Sequence, residues 1–382
     1  MKWGDLITLE YGKPVRDKDK RDGAIPVFGT NGQIGTSDLE PLCKHASFIL
    51  GRKGAYRGVQ YSESPFSVID TAFFAEAISE EVDLHWAYYK FLTYDINSMD
   101  SGSAIPSTDR YEIYNLSIDL PPLEVQKKIV SILDGIDRKI QLNRRINDNL
   151  EQQVRAIFRA WFVNSADRAD WKTGTFSALI ESTLGGDWGK ESPSGNNTKM
   201  VYCIRGADIP DVKTGNKGKM PIRYILPKNY DSRRLLPGDI VVEISGGSPT
   251  QSTGRVAAIS QSLLDRYNTG MVCTNFCRAV KPKPGYSMFI YYYWQYLYDR
   301  NVFFTYENGT TGIKNLDLNG VLTTEEIVLP PKELVVKFDV LCQTVFDVVF
   351  TNGLENEKLA MLRDSILPRL MSGEIDVSEL SI

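Results

Sequence analysis

The sequence predicts an α+β chain: two globular domains, each β-rich with helices, joined by two long helices that form an antiparallel coiled coil, with a pseudo-twofold internal repeat. Three observations carry this expectation. A Leu-Pro-Pro corner is written twice, in "IDLPPLEVQKKIV" (Ile118 to Val130) and "IVLPPKELVVKF" (Ile327 to Phe338). A heptad pattern follows each corner, and a similar series of strands, glycine loops and an aromatic helix precedes each. Long-range self-similarity implies duplication, so the repeat is settled before any residue is given a role. The expected limits are a first domain over 1–119, a first helix over 120–165, a second domain over 166–328, and a second helix with its tail over 329–382.

In the first domain, "IPVFGTNGQIG" reads as a strand entering a glycine turn, and "ASFILGRKGAYRGVQYS" as strand, glycine turn and strand. "FAEAI" from Phe74 and the aromatic helix "LHWAYYKFLTYDI" follow. The second domain repeats the series more loosely: "GDIVVEI" and "SGGSPTQSTGRVAAIS", then "FCRAV" from Phe276 and "SMFIYYYWQYLYDRN". "LGGDWGKESPSGNNTK" reads as a loop.

Past Pro121-Pro122, apolar residues return in steps of four and three: Ile129, Leu133, Ile136, Ile140, then Asn143 and Asn147, then Leu150, Val154, Ile157 and Trp161. Proline costs nothing at a helix start, where the first amides have no intrahelical partner. The second helix carries Phe338, Cys342, Val345, Val349, Asn352, Asn356, Leu359, Arg363, Ile366 and Leu370 in the same register. Asparagines buried in a seam cost stability and fix register, so two in each helix read as a specified pairing. Gly353 and Pro368 predict fraying or a kink in the second helix.

At 382 residues and 42% hydrophobic, the chain is long enough for two or three cores. No apolar run approaches the roughly 18 residues of a membrane span, and the start lacks the pattern of a signal peptide, so a cytoplasmic location is expected. Five scattered cysteines argue for reduced, buried thiols, and no metal site is expected. The net charge of −4 is divided as −6, +3, +3 and −4 over the four segments, so contact with a polyanion has to come from local clusters.

Catalytic patterns are absent. There is no phosphate-binding G-x-x-x-x-G-K-[ST] loop, no G-x-G-x-x-G and no G-x-S-x-G elbow, and His45 and His85 are the only histidines. What remains is basic residues on glycine loops: Arg52, Lys53, Tyr56 and Arg57 in "GRKGAYRG", Lys213, Lys217, Lys219 and Arg223 in "KTGNKGKMPIR", Arg255 in "STGR" and Lys314 in "TTGIKN". Glycine lets a backbone approach a surface closely, and Lys or Arg there can hold phosphates or reach base edges. These ten residues are the candidate DNA contacts; a coiled-coil scaffold with two protein-binding domains is the alternative.

The corner and helix "LPPLEVQKKIVSILDGIDRKI" with "LEQQVRAIFRAWFV", the copy "LPPKELVVKFDVL" ending in "SILPRLMSGEI", and the "IPVFGTNGQIG" and "ILGRKGAYRG" stretches resemble the specificity subunit of type I restriction-modification systems. The resemblance implies that each globular domain is a target-recognition domain reading half of a bipartite site in double-stranded DNA. It implies that the helices set the spacing and dock two modification (methyltransferase) subunits, with restriction subunits joining the complex. It also implies that the chain is not itself an enzyme: S-adenosylmethionine, ATP and Mg belong to partner subunits.

Overall fold

A computed structural model describes residues 1–14, 23–99, 105–248, 250–309 and 313–380. By compactness the chain divides into one unit formed by Met1–Arg138 with Leu359–Ile382, and another formed by Lys139–Lys358.

The first unit is built on a four-stranded antiparallel sheet in the spatial order Ile7–Tyr11, Ala72–Ala77, Ser47–Gly51, Val59–Ser62. Ser47–Gly51 is buried throughout, which its run of Phe48, Ile49 and Leu50 allows. The strands Ile25–Gly29 and Gly32–Ser37 form a hairpin, as the spaced glycines predict. Helix Leu84–Phe91 is capped by Asp83, which accepts from the amides of His85 and Trp86, and it buries Trp86, Tyr89 and Phe91. These rings pack with Trp3, Phe48 and Phe73, with Ile129 and Leu133 of the first long helix, and with Leu367 and Leu370 of the second. Each such side chain removed from water contributes about 1.5–3 kcal/mol before entropy is subtracted.

The second unit holds a sheet with the same order and sense: Ile180–Gly185, Cys277–Pro282, Ile240–Glu243, Val256–Ala258, all antiparallel. An aromatic helix, Ser287–Asp299, again follows the second strand of this order, with Phe289, Tyr291, Tyr292 and Trp294 buried. A three-stranded sheet, Ile222–Ile225, Lys199–Ile204, Met271–Cys273, is added here.

The long helices span Leu123–Phe158 and Lys332–Met371. Of the expected seam, Ile129, Leu133, Ile140, Asn143, Asn147, Val154, Phe338, Cys342, Val349, Asn356 and Leu370 are buried, whereas Ile136, Leu150, Ile157, Val345, Asn352, Leu359 and Ile366 are half-buried. Near the end of the first helix the buried side moves one residue on, to Phe158 and Phe162, because a π-helical turn at Arg159–Val163 and the 3.6-residue period rotate the face away from a strict heptad.

Asn143 donates to Asn356 Oδ1 at 3.0 Å, and Asn352 donates to Asn147 Oδ1 at 2.8 Å. Numbers rise on one helix as they fall on the other, so these segments run antiparallel. The residues that touch are not the repeat-equivalent ones: Asn143 matches Asn352 in the repeat but meets Asn356. Within the first unit, Arg363 donates to Asp137 Oδ1 at 2.8 Å while Tyr89 donates to Asp137 Oδ2 at 2.8 Å.

One expectation is corrected. The second helix runs unbroken through Gly353 and Pro368. Gly353 is a contact rather than a weak point: a Cβ there would lie 1.9 Å from Gly215 O, so glycine lets the 213–216 loop rest on the helix. The two helix starts differ at Gln126, where the second copy of the corner departs from the first in sequence. Gln126 is fully buried, accepts from the Asp83 amide and donates to Glu81 O and Pro121 O, all at 2.8 Å, whereas its counterpart Val335 sits in an apolar cluster.

Candidate nucleic-acid interface

In the first unit the "GRKG" loop is fastened before it offers any side chain. The amides of Arg52 and Lys53 both donate to Thr71 O, at 2.8 and 3.1 Å, the Gly54 amide donates to Pro106 O at 2.9 Å, and the Thr108 amide donates to Arg52 O at 2.8 Å. Gly51 is required where the strand enters the loop, because a Cβ would lie 2.4 Å from Thr30 O. These bonds bring the 105–110 segment against the loop. Asp109 then caps helix Arg110–Asn115 by accepting from the Tyr111 amide.

Three segments thus share one surface. The Arg52 guanidinium lies 4.8 Å from the centre of the Tyr11 ring, and that of Arg110 lies 4.9 Å from the same ring and 5.2 Å from that of Tyr111. Tyr11, Tyr111 and Tyr56 are 45%, 59% and 72% exposed. Each ring-guanidinium contact is worth about 0.5–1 kcal/mol at an exposed site and holds the cation in a defined orientation. Exposed rings beside oriented guanidiniums suit a nucleic acid, whose phosphates meet the cations while sugar and base edges meet the rings.

The ten predicted contacts divide. Arg52 and Lys53 are partly exposed and Tyr56 is exposed, although Arg52 also donates to Asp70 O at 3.0 Å. Arg57 is withdrawn: it is 2% exposed and donates from Nη2 to Ile96 O at 3.2 Å and to Asn97 O at 2.9 Å. Its job is to hold the 96–97 turn. In the second unit Lys217 lies 5.0 Å from the Tyr267 ring, and Lys219 is exposed with its amide tied to Asp208. Lys213 faces a cavity shared with Arg255, Gln295 and Asp299, where burial foremost and the Arg155 charge next push its amine below the usual lysine range.

Arg223, Arg255 and Lys314 share one feature, a carboxylate partner. Arg223 is 9% exposed, lies 3.9 Å from the Trp188 ring and pairs with Glu191 at 2.9 Å. Arg255 is bidentate to buried Glu243 at 2.7 and 2.6 Å. Lys314 pairs with Glu307 at 2.9 Å. Sequence reasoning missed Tyr11, Arg110, Tyr111 and Trp188, and also Lys199, which lies 4.5 Å from the Tyr230 ring. Basic and aromatic residues on separate segments give no local pattern to read.

All five cysteines are free and buried, as expected, and burial pushes the Cys203 and Cys277 thiols up to about 12. Among the described residues, Cys43, His45 and Glu76 bring ligand-type atoms within 4.8 Å of one another. His45 Nε2 is 2.7 Å from Glu76 Oε2, and the Cys43 thiol donates to His45 O at 3.4 Å. No helix among the described residues is long and apolar enough to cross a membrane.

Residues 1–152 match the family described as the type I restriction modification DNA specificity domain. The chain is 22% identical over 343 residues to the type I restriction enzyme HindI specificity subunit of Haemophilus influenzae, covering 69% of this chain and 70% of that one. It is 24% identical over 328 residues to the MjaIX specificity subunit of Methanocaldococcus jannaschii, covering 77% and 70%. The crystal structure of a type I restriction-modification S subunit from M. genitalium shares its fold, with a TM-score of 0.60 at 15% identity over 97% of this chain and 95% of that one. The family to which the Leu-Pro-Pro corners and the "GRKGAYRG" loop pointed is thus the one whose model matches residues 1–152, and both curated relatives are specificity subunits of type I restriction enzymes.

Proposed function

We propose that the chain is the DNA-reading subunit of a type I complex in which each globular domain reads one half of a bipartite target. The observation that carries this reading is the exposed surface of Tyr11, Arg52, Arg110 and Tyr111, which lies within the residues matched by the DNA specificity domain. The shared order of the two four-stranded sheets supports an internal repeat and therefore two readers. The asparagine pairs support an antiparallel coiled coil between the long helices. Helices of 36 and 40 residues extend about 54 and 60 Å at 1.5 Å per residue, longer than the roughly 34 Å of one duplex turn, so they suit a spacer between half-sites.

The same helices would dock two modification subunits. Val336, Val340 and Val348 are 38%, 59% and 42% exposed on one helix, an apolar row suited to a protein partner. In this reading the chain performs no chemistry. Methyl transfer with S-adenosylmethionine belongs to the modification subunits, ATP- and Mg-dependent work to restriction subunits, and the complex acts in the cytoplasm. The test is to map methylated adenines in DNA from cells that carry this chain with its partner subunits, and then to measure binding to the mapped site. A split motif, bound in a way that weakens steeply with salt, is the expected result. Lack of sequence preference at every salt concentration would leave a protein scaffold in its place.

A further inference from the structure

The two sheets share a second feature at the far end of the edge strand that neighbours Ala72–Ala77 in one unit and Cys277–Pro282 in the other. In the first unit this strand ends at Tyr11 and runs on as Gly12-Lys13; in the second it ends at Gly185, and Trp188-Gly189-Lys190 follows three residues on, Trp188 standing four residues after Leu184, which pairs with Ala279 as Ile7 pairs with Ala77. Both aromatic rings are exposed, at 45% and 37%, and both carry a guanidinium on one face: Arg52 and Arg110 at Tyr11, Arg223 at Trp188. Both glycines pass where no side chain fits. A Cβ on Gly12 would lie 2.0 Å from Ile69 O, and one on Gly189, at φ +60°, would lie 2.4 Å from Tyr224 O. Both lysines are exposed with the amide fixed to a neighbouring carbonyl, Lys13 to Val68 O and Lys190 to Tyr224 O, each at 2.9 Å.

A ring held by a cation, a glycine forced by contact and a lysine pinned by its amide are thus assembled twice, on different surroundings. Packing alone does not call for this: both rings and both lysines keep much of their surface in solvent, and each ring's stacked guanidinium comes from another segment. We propose that Tyr11 and Trp188 are equivalent DNA-contacting residues of the two domains, each ring lying on the sugar and base edge of one half-site while Lys13 or Lys190 meets the adjoining phosphate. This rests on the half-site reading proposed above and adds which residues set preference in each half. The surroundings differ in charge. Tyr11 has two guanidiniums on its ring, whereas Arg223 at Trp188 is paired with Glu191, so the Tyr11 element carries the larger share of phosphate attraction.

The test uses the full chain with its modification subunit, binding duplexes of the mapped target in which one half or the other is scrambled. With Tyr11→Ala, the penalty for scrambling one half should shrink at least tenfold and the penalty for the other half should be unchanged. Trp188→Ala should do the reverse. Lys13→Ala and Lys190→Ala, whose exposed side chains can be removed without disturbing the core, should weaken binding to every sequence and lower the slope of log K against log salt by about 0.9 each. Wild-type preference with both half-site penalties intact in Tyr11→Ala and Trp188→Ala overturns the proposal and leaves the half-site reading standing, as does loss of the same half in both. A wild type without sequence preference overturns both.

Discussion

Asn352 donates a hydrogen bond to Asn147 across 2.8 Å, and the Asn147 amide in turn donates to the carbonyls of Val349 and Thr214 at 3.1 and 3.2 Å. One side chain therefore ties the first long helix to the second and to the loop at Thr214. Removing either partner leaves a buried amide or carbonyl unmet. Asn147→Ala and Asn352→Ala should each cost about 1–3 kcal/mol, and the double variant should cost less than the sum by about 0.5–3 kcal/mol. Chemical denaturation of the four proteins of the cycle checks this; strict additivity would mean that the pair is not coupled.

Gly353→Ala should destabilise the second unit, although alanine is the better helix former by about 1 kcal/mol. The added methyl would meet the Gly215 backbone at 1.9 Å, and relieving such an overlap costs about 1–3 kcal/mol. A fall in melting temperature is expected, and a rise would show that the loop does not rest on the helix.

His85 lies between the rings of Tyr61 and Tyr89, stacked at 3.9 and 5.4 Å, with Asp134 at 3.7 Å. Burial, the largest influence, lowers its pKa from 6.5, against the opposing pull of Asp134, Asp83 and Glu63 and with a smaller push from Arg138. A folded pKa below the unfolded one means that the folded state binds fewer protons. The contribution of His85 is therefore whole above about pH 6.5 and is lost as pH falls through the folded value. His85→Phe keeps an aromatic ring in the stack and removes the titration. The melting temperature of the wild type should fall faster than that of the variant between pH 7 and pH 5, and parallel curves would refute the assignment.

Arg57 and Lys219 look alike in the sequence, as cations on glycine loops, and should behave in opposite ways. Arg57→Ala removes the charged donor to two backbone carbonyls and should cost about 1.5–3 kcal/mol per lost charged bond, at most, in stability, with the salt dependence of DNA binding unchanged. Lys219→Ala should leave the stability within about 0.5 kcal/mol of wild type and reduce the salt slope by about 0.9. Melting curves and binding titrations at several salt concentrations separate the two roles.

The sequence by itself determined the elements and their order, because these are written in local period and punctuation. The Leu-Pro-Pro corners, the four-and-three spacing after them and the apolar runs at Phe48–Leu50 and Ile240–Val242 each specify a neighbourhood of a few residues, and the long helices and the two strands lie there. The glycine turn at Gly29 to Gly35 and the buried cysteines were legible for the same reason. Tertiary structure alone decided which asparagine meets which, since antiparallel helices bring together residues that the repeat does not equate. It also decided which cations remain at the surface. Arg57, Arg223, Arg255 and Lys314 found carbonyls or carboxylates supplied by other segments, whereas Arg110 met Tyr11 from about a hundred residues away. A charge on a loop is a local fact; whether it stays available to a ligand depends on partners that only folding brings within a few ångströms.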